Sequence, residues 1–295
     1  MKTLREVLAD ADPRRVAVGH FNISDLAALK GIFAAARGLN LPVLIGVSEG
    51  EREFIGVKRA AALIKSLRDE YDYPIFLNAD HTHSLDKAKE AADAGFDEII
   101  FDNSSMPLDQ NITNTKEAVA AIRAINPAIV IEGEIGYIGA NSEIIDKRPE
   151  ESLLLSTPED AVRFCKETGV DVLAPAVGNM HGLLASMAAG TEHKQLNIDR
   201  IATLKAALAN SGAGTHWMTL HGGSGTEDKE FTQAAQAGMT IIHVSSELRL
   251  AWRRGVGEAL AMDPNEIAPY KLVAPAQAAI EKIVTDRLKL FNGMT

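Results

Sequence analysis

Eight short apolar runs recur along this chain, each followed by a longer amphipathic stretch. They are Val16–Phe21, Val43–Val47, Ile75–Asn78, Glu98–Asp102, Ile129–Glu132, Asp171–Ala176, Trp217–Leu220 and Thr240–Val244. Such alternation predicts parallel β/α units. Several runs are near-continuously apolar, as strands are when helices cover one face and a barrel interior the other. A small tag precedes three of them: Ala94-Gly95-Phe96-Asp97, Thr168-Gly169-Val170-Asp171 and Ala237-Gly238-Met239-Thr240. In each, glycine is expected in a left-handed helix cap that turns the chain into the next strand. Helix starts are marked by Ser84, an N-cap for Ser84–Ala94, and by Thr157-Pro158 before Glu159–Thr168. The pattern predicts one (β/α)8 TIM barrel over residues 1–295, with an additional C-terminal helix at Pro275–Phe291. The length of 295 residues suits a fold that often occupies about 250.

Composition narrows the function. A net charge of −10 disfavours general nucleic-acid binding, which needs a basic face. It leaves room for a small anionic substrate, because a local field can oppose the net charge. No apolar run approaches the roughly 20 residues of a membrane span. The N-terminus, MKTLREVLADADPRR, lacks the apolar stretch of a signal peptide. A single cysteine, Cys165, cannot form an internal disulfide. The expected setting is the reducing cytoplasm.

Barrel active sites lie at the C-terminal ends of the strands. Polar residues collect there. Asp80 and His81 follow the third strand, Asp102, Asn103 and Ser104 end the fourth, and Glu132 and Glu134 end the fifth. His181 follows the sixth within Gly178-Asn179-Met180-His181-Gly182, His221 opens His221-Gly222-Gly223-Ser224-Gly225 after the seventh, and His243 and Ser245 close the eighth. A lone histidine is usually structural. Three at matching strand ends, His81, His181 and His221, describe a catalytic zinc-type site with three protein ligands and one open position. His83 is expected to point elsewhere, and His193 and His216 to lie on the surface. Glycines after a strand let backbone N–H groups approach an anion. A helix beginning near Glu227 is expected to add its positive end, and Ser245 and Arg249 flank the place where barrels bind phosphate.

On these motifs the sequence resembles the class II, metal-dependent fructose- and tagatose-bisphosphate aldolases, nearly end to end. The specific pieces are Asp80-His81, Glu132-Gly133-Glu134-Ile135-Gly136, Gly178 through Gly182, and the His-Gly-Gly-Ser-Gly segment, with Phe21-Asn22-Ile23 near the start. The resemblance implies that His81, His181 and His221 ligate a catalytic Zn2+, with Glu134 as an alternative ligand. It implies that Asp80 is the acid/base at the substrate's C4 hydroxyl. Gly182, Gly222, Gly223, Ser224, His243, Ser245, Arg249 and Asn22 would bind substrate and its phosphates, and the glycine loops would also hold a monovalent cation, Na+ or K+. The implied partner is a small sugar phosphate, with no nucleic acid or membrane, and the protein would be a homodimer or homotetramer. The reaction would be reversible cleavage of fructose or tagatose 1,6-bisphosphate to dihydroxyacetone phosphate and an aldehyde, through a zinc-stabilised enediolate.

The chemistry agrees: aldol cleavage leaves a carbanion beside a carbonyl, and a chelated cation can stabilise it. The rival solution, a lysine Schiff base, lacks a lysine at any of these strand ends. Residues Gly136–Ser156 are expected to form a lid, with Glu143 the first choice for the second base. Three positions depart from the resemblance. Ala185 stands where a phosphate-binding lysine is usual, His243 where asparagine is usual, and Asn78 where histidine is frequent. Ala185 and His243 keep open an aldolase-like lyase on another or less phosphorylated ketose; a barrel metallohydrolase and a non-catalytic metal- or sugar-phosphate-binding relative are the further alternatives.

Overall fold

The computed structural model of the chain describes residues 2–139, 143–145, 147, 154–212 and 217–294. Its strands are β1 (Val18–Asn22), β2 (Val43–Val47), β3 (Ile75–Thr82), β4 (Glu98–Phe101), β5 (Val130–Ile135), β6 (Ile144–Ile145), β7 (Val172–Pro175), β8 (Leu183–Leu184), β9 (Trp217–Leu220) and β10 (Ile241–Val244). Eight of them close a parallel barrel in the order β1-β10-β9-β7-β5-β4-β3-β2, and β6 pairs with β8 in a separate two-stranded ribbon. The expected (β/α)8 barrel is present. Gly95, Gly169 and Gly238 cap their helices at φ of 87°, 73° and 126°, and Ser84 and Thr157 accept the expected cap hydrogen bonds. Among the described residues no helix is long and apolar enough to cross a membrane.

Alternation of side chains along each strand sorts the barrel interior into layers. The first inward residues, Val18, Leu44, Phe76, Val130, Val172, Trp217 and Ile241, form one apolar cluster with Leu4, Val7, Leu8 and Ala11. Those four belong to a helix, Leu4–Arg14, opened by a Thr3–Glu6 capping box. This helix plugs the N-terminal mouth; the charged sequence around it had masked its apolar stripe. Outward residues pack under the surrounding helices in the main core. The C-terminal helix, Ala274–Phe291, lies against helices Leu26–Leu39 and Ser246–Met262, where Gly31 and Gly255 leave room for its backbone.

Two features differ from expectation. The middle layer of the barrel is polar, not apolar. His20 stacks on His243 with ring centroids 3.5 Å apart. Asn78 donates to Glu98 at 2.6 Å and Thr219 to Glu132 at 2.7 Å. Gly46 gives His20 its space, since a Cβ there would lie 2.2 Å from the ring. Second, β3 and β5 run on past Asn78 and Glu132. Polar residues ending an apolar run read as loop, yet their backbones keep pairing. Asp80, His81 and Glu134 therefore sit on strands, on the most rigid part of the rim.

Candidate active site

Strand parity builds the site. One step above the polar layer, Asn22 on β1, Asp80 on β3 and Glu134 on β5 are the next inward residues, joined by His221 just past β9. Asp80 and His81 are consecutive, so a regular strand would send them to opposite faces. Register between β3 and β4 shifts between Ala79 and Thr82, and His81 has φ of 39°. This bulge turns both side chains toward the mouth. It stores strain of the kind found at functional sites. Buried Arg52 holds it, donating to Asp80 O at 3.2 Å, Thr82 Oγ1 at 3.0 Å and Val47 O at 2.7 Å.

His181 comes from the loop after β7. Its backbone N–H donates to Ile138 O at 2.8 Å, and Asn179 ties the loop to the other glycine segment by donating to His221 O at 3.0 Å. The three rings converge: centroids of His81 and His181 are 4.7 Å apart, His81 and His221 4.8 Å, His181 and His221 5.9 Å. One ligand atom from each, with one from Glu134, all lie within 4.8 Å of one another. His81 Nε2, His181 Nε2, His221 Nδ1 and Glu134 Oε2 are buried without a hydrogen-bond partner. His221 Nδ1 and Glu134 Oε2 are 2.9 Å apart, but not in hydrogen-bonding alignment.

The opposite nitrogens are engaged. His81 Nδ1 is 2.8 Å from Asp102 Oδ2 and His221 Nε2 is 2.6 Å from Glu132 Oε1. A carboxylate behind each ring fixes its tautomer and aims the free nitrogen at the centre. Asp102 and Glu132 were visible in the sequence as acids ending apolar strands, but the pairing that gives them this role was not. Four unpartnered buried donors, two backed by carboxylates, fit a divalent cation. Burial and the charges of His81 and His221 hold the His181 pKa well below its ordinary value, keeping it in the neutral form that ligates. Burial opposes charge on His81, but Asp80 and the Asp102 hydrogen bond carry its pKa up to about 9. Burial, followed by the Asp102 charge, raises the pKa of Glu134.

Beside the centre is a cavity of about 260 Å³, lined among others by Asn22, Asp80, Glu143, Gly182, Gly222, Ser224, His243, Ser245 and Arg249. Burial alone would raise the Asp80 pKa, but His81, His20, His221 and the Asn22 hydrogen bond pull it below the usual carboxylate range. Asn22 donates to Asp80 Oδ2 at 2.8 Å and to Glu51 Oε2 at 3.0 Å, while Asp80 Oδ1 is buried and unpartnered. Arg249 reaches Glu51 Oε1 at 2.8 Å, so its charge is partly matched already. His243 is neutral: burial and the His20 ring press its pKa well down, so it does not add the positive charge that would replace a missing lysine. Gly223 is not part of the lining; its N–H donates to His243 O at 3.0 Å. The helix Asp228–Ala237, expected to point its positive end at the site, contributes no residue to the cavity lining, whereas the helix Ser246–Met262 contributes Ser246 and Arg249.

Glu143 stands at the rim because β6 and β8 pair and Leu183 N donates to Glu143 O at 2.8 Å. Asn141 and Ser142, also expected in the lid, lie outside the described residues, as does His216. His193 is exposed. His83 is largely exposed and bonds Asp102 O at 3.0 Å, outside the metal cluster. Cys165 is buried in its helix, where burial pushes the thiol pKa up to about 12. The lining also includes Lys194, which belongs to none of the sequence motifs.

Fold and rim together define a (β/α)8-barrel enzyme with a histidine–carboxylate centre. Comparison with known proteins carries this further. The family model "Fructose-bisphosphate aldolase class-II" matches residues 2–294. A fructose-bisphosphate aldolase of Geobacillus stearothermophilus is 30% identical over 99% of this chain and 96% of its own length. One of Staphylococcus aureus is 28% identical over 98% and 96%. The crystal structure of the YdjI aldolase from Escherichia coli K12 superposes with a TM-score of 0.80 at 25% identity, covering 98% of this chain and 96% of that one. The chain belongs to the class II fructose-bisphosphate aldolase family, and as such is an aldehyde-lyase.

Proposed function

We propose that this protein reversibly cleaves a ketose bisphosphate, fructose or tagatose 1,6-bisphosphate, to dihydroxyacetone phosphate and an aldehyde, using a zinc-type ion held by His81, His181 and His221. One observation carries this reading: three imidazole nitrogens and a Glu134 oxygen, all buried and unpartnered, lie within 4.8 Å of one another beside an open cavity. A divalent ion there would act as a Lewis acid on the substrate's carbonyl and stabilise the charge left by cleavage.

The chain's own groups supply the rest. Asp80, held ionised, accepts the proton of the C4 hydroxyl through its free Oδ1 as the C3–C4 bond breaks. Asn22 fixes the other oxygen and so directs that transfer. Glu143 handles the proton of the three-carbon ketone. Glu134 offers a second position for the ion. The ketone-end phosphate rests on Gly182, Gly222, Ser224 and Ser245, and Arg249 faces the distal end. A Schiff-base route has no support at Lys194, whose amine is committed to backbone carbonyls. We place the protein in the cytoplasm as a homodimer or homotetramer; exposed Met262, Ile267 and Tyr270 near one another in sequence offer apolar surface for assembly.

Release of dihydroxyacetone phosphate, followed across ketose mono- and bisphosphates, tests the reading. Activity should vanish on chelation, return with Zn2+ or Co2+, and be lost with metal in His181→Ala. Full turnover by metal-free protein, or a substrate adduct trapped by borohydride, would overturn it. Ala185 and the neutral His243 favour a second reading, a substrate with fewer phosphates, which a preference for monophosphates in the same screen would support.

A further inference from the structure

Lys194 lies in an irregular segment before helix Ile198–Asn210, yet its side chain is fully buried. Its Nζ donates to Met180 O at 2.7 Å, Gly182 O at 2.8 Å and Gly222 O at 2.9 Å. Three N–H groups meet three carbonyl oxygens. A neutral amine would turn a lone pair on one of them, so the cage selects the ammonium form. Convergent backbone carbonyls are also what monovalent metal ions bind.

The three carbonyls are not arbitrary. Met180 and Gly182 flank His181, and Gly222 follows His221. The peptide groups they belong to donate from their other ends. His181 N–H goes to Ile138 O, Leu183 N–H to Glu143 O, and Gly223 N–H to His243 O. A cation on each carbonyl polarises its peptide and strengthens those three bonds. One ammonium thus braces both histidine loops, the rim backbone at Glu143 just before β6, and the end of β10.

We infer that Lys194 is a tethered monovalent cation: its ammonium takes the place an inorganic Na+ or K+ would fill between the two glycine loops. It is a positioning residue for His181, His221 and the phosphate loops, and it lends positive charge to the same cavity. The inference rests on the metal-centre reading for what the loops present, but not for the cage itself.

Thermal melting and retention of divalent metal against a chelator are measured in tetramethylammonium, Na+, K+ and NH4+ buffers of equal ionic strength. Wild-type protein should give the same melting temperature and retention in all four. Lys194→Ala, which empties the cage, should melt lower and lose metal at about tenfold less chelator in tetramethylammonium, with K+ or NH4+ restoring both. Lys194→Met, which fills the cage with apolar atoms, should show the losses without the rescue. A wild-type melting temperature that rises with Na+ or K+ overturns the inference, and this arm needs no variant to fold. So does a Lys194→Ala protein whose defects are equal in every cation, or one with no defect. Melting is read without substrate, so failure here leaves the aldolase reading standing, and that reading fails separately through His181→Ala.

Discussion

Single side chains in this site divide by what stands behind them. Asp80 has one oxygen bound by Asn22 and one unpartnered, the arrangement of a proton acceptor. His81 and His221 each have one nitrogen bound by a carboxylate and one free, the arrangement of a ligand. Their variants should separate accordingly. Asp80→Ala should keep its metal and lose about 10²–10⁴-fold in turnover, as checked by metal analysis beside steady-state kinetics; near-normal turnover would remove Asp80 from proton transfer. Asp102→Asn should instead weaken metal affinity by about 10–100-fold, because the amide no longer enforces the His81 tautomer. Competition with a chromophoric chelator measures this, and unchanged affinity would make Asp102 a bystander.

At the scale of elements, the decisive pieces are irregular. The β3 bulge brings Asp80 and His81 to one side, and the two-residue pairing of β6 with β8 places Glu143 over the cavity. Gly222 works at the same scale. With φ of 59°, it lets its loop pass Met180 so closely that a Cβ would sit 2.2 Å from that carbonyl oxygen. Glu143 is joined to the loop by its backbone, so its carboxylate can change without undoing the ribbon. Glu143→Gln should therefore slow exchange of the dihydroxyacetone phosphate α-proton with solvent and spare binding of that ketone. NMR of the exchange in D2O checks this, and an unaltered rate would move the base to another group.

Over the whole molecule, the barrel is rigid below and charged above. An apolar plug and the main core hold the strands, while the upper layers bury Glu98, Glu132, Glu134 and Asp80 with several imidazoles. Burial and the neighbouring Glu132 charge raise the Glu98 pKa well above its usual range. So polar an interior contributes less to folding than an apolar one, and the ion should recover part of the difference. A ligand at one hundred times its Kd stabilises by about 2.7 kcal/mol, so chelation should lower the melting temperature by about 5 °C or more. Identical melting curves with and without chelator would mean that the centre holds no tightly bound ion.

The barrel is legible in the chain's local pattern, because strand and helix periodicities and glycine caps are local properties: each of the eight runs became a barrel strand, and Gly95 and Gly169 took the left-handed caps expected of them. The sequence also placed His81, His181, His221, Glu134 and Asp80 at one rim, since parallel strands send all their C-terminal ends the same way. What it left undecided depends on contacts between distant segments. Lys194 reads as one more solvated lysine until the fold carries Met180, Gly182 and Gly222 around its amine. Glu132 and Asp102 are acids at strand ends until His221 and His81 arrive beside them. Gly223 and the helix at Asp228 look suited to phosphate, but the Gly223 N–H is taken by His243 O and that helix adds no residue to the cavity lining. Periodicity fixes which way a side chain faces on its own element; only closure of the barrel fixes what it meets, and a buried charge or imidazole takes its role from that partner.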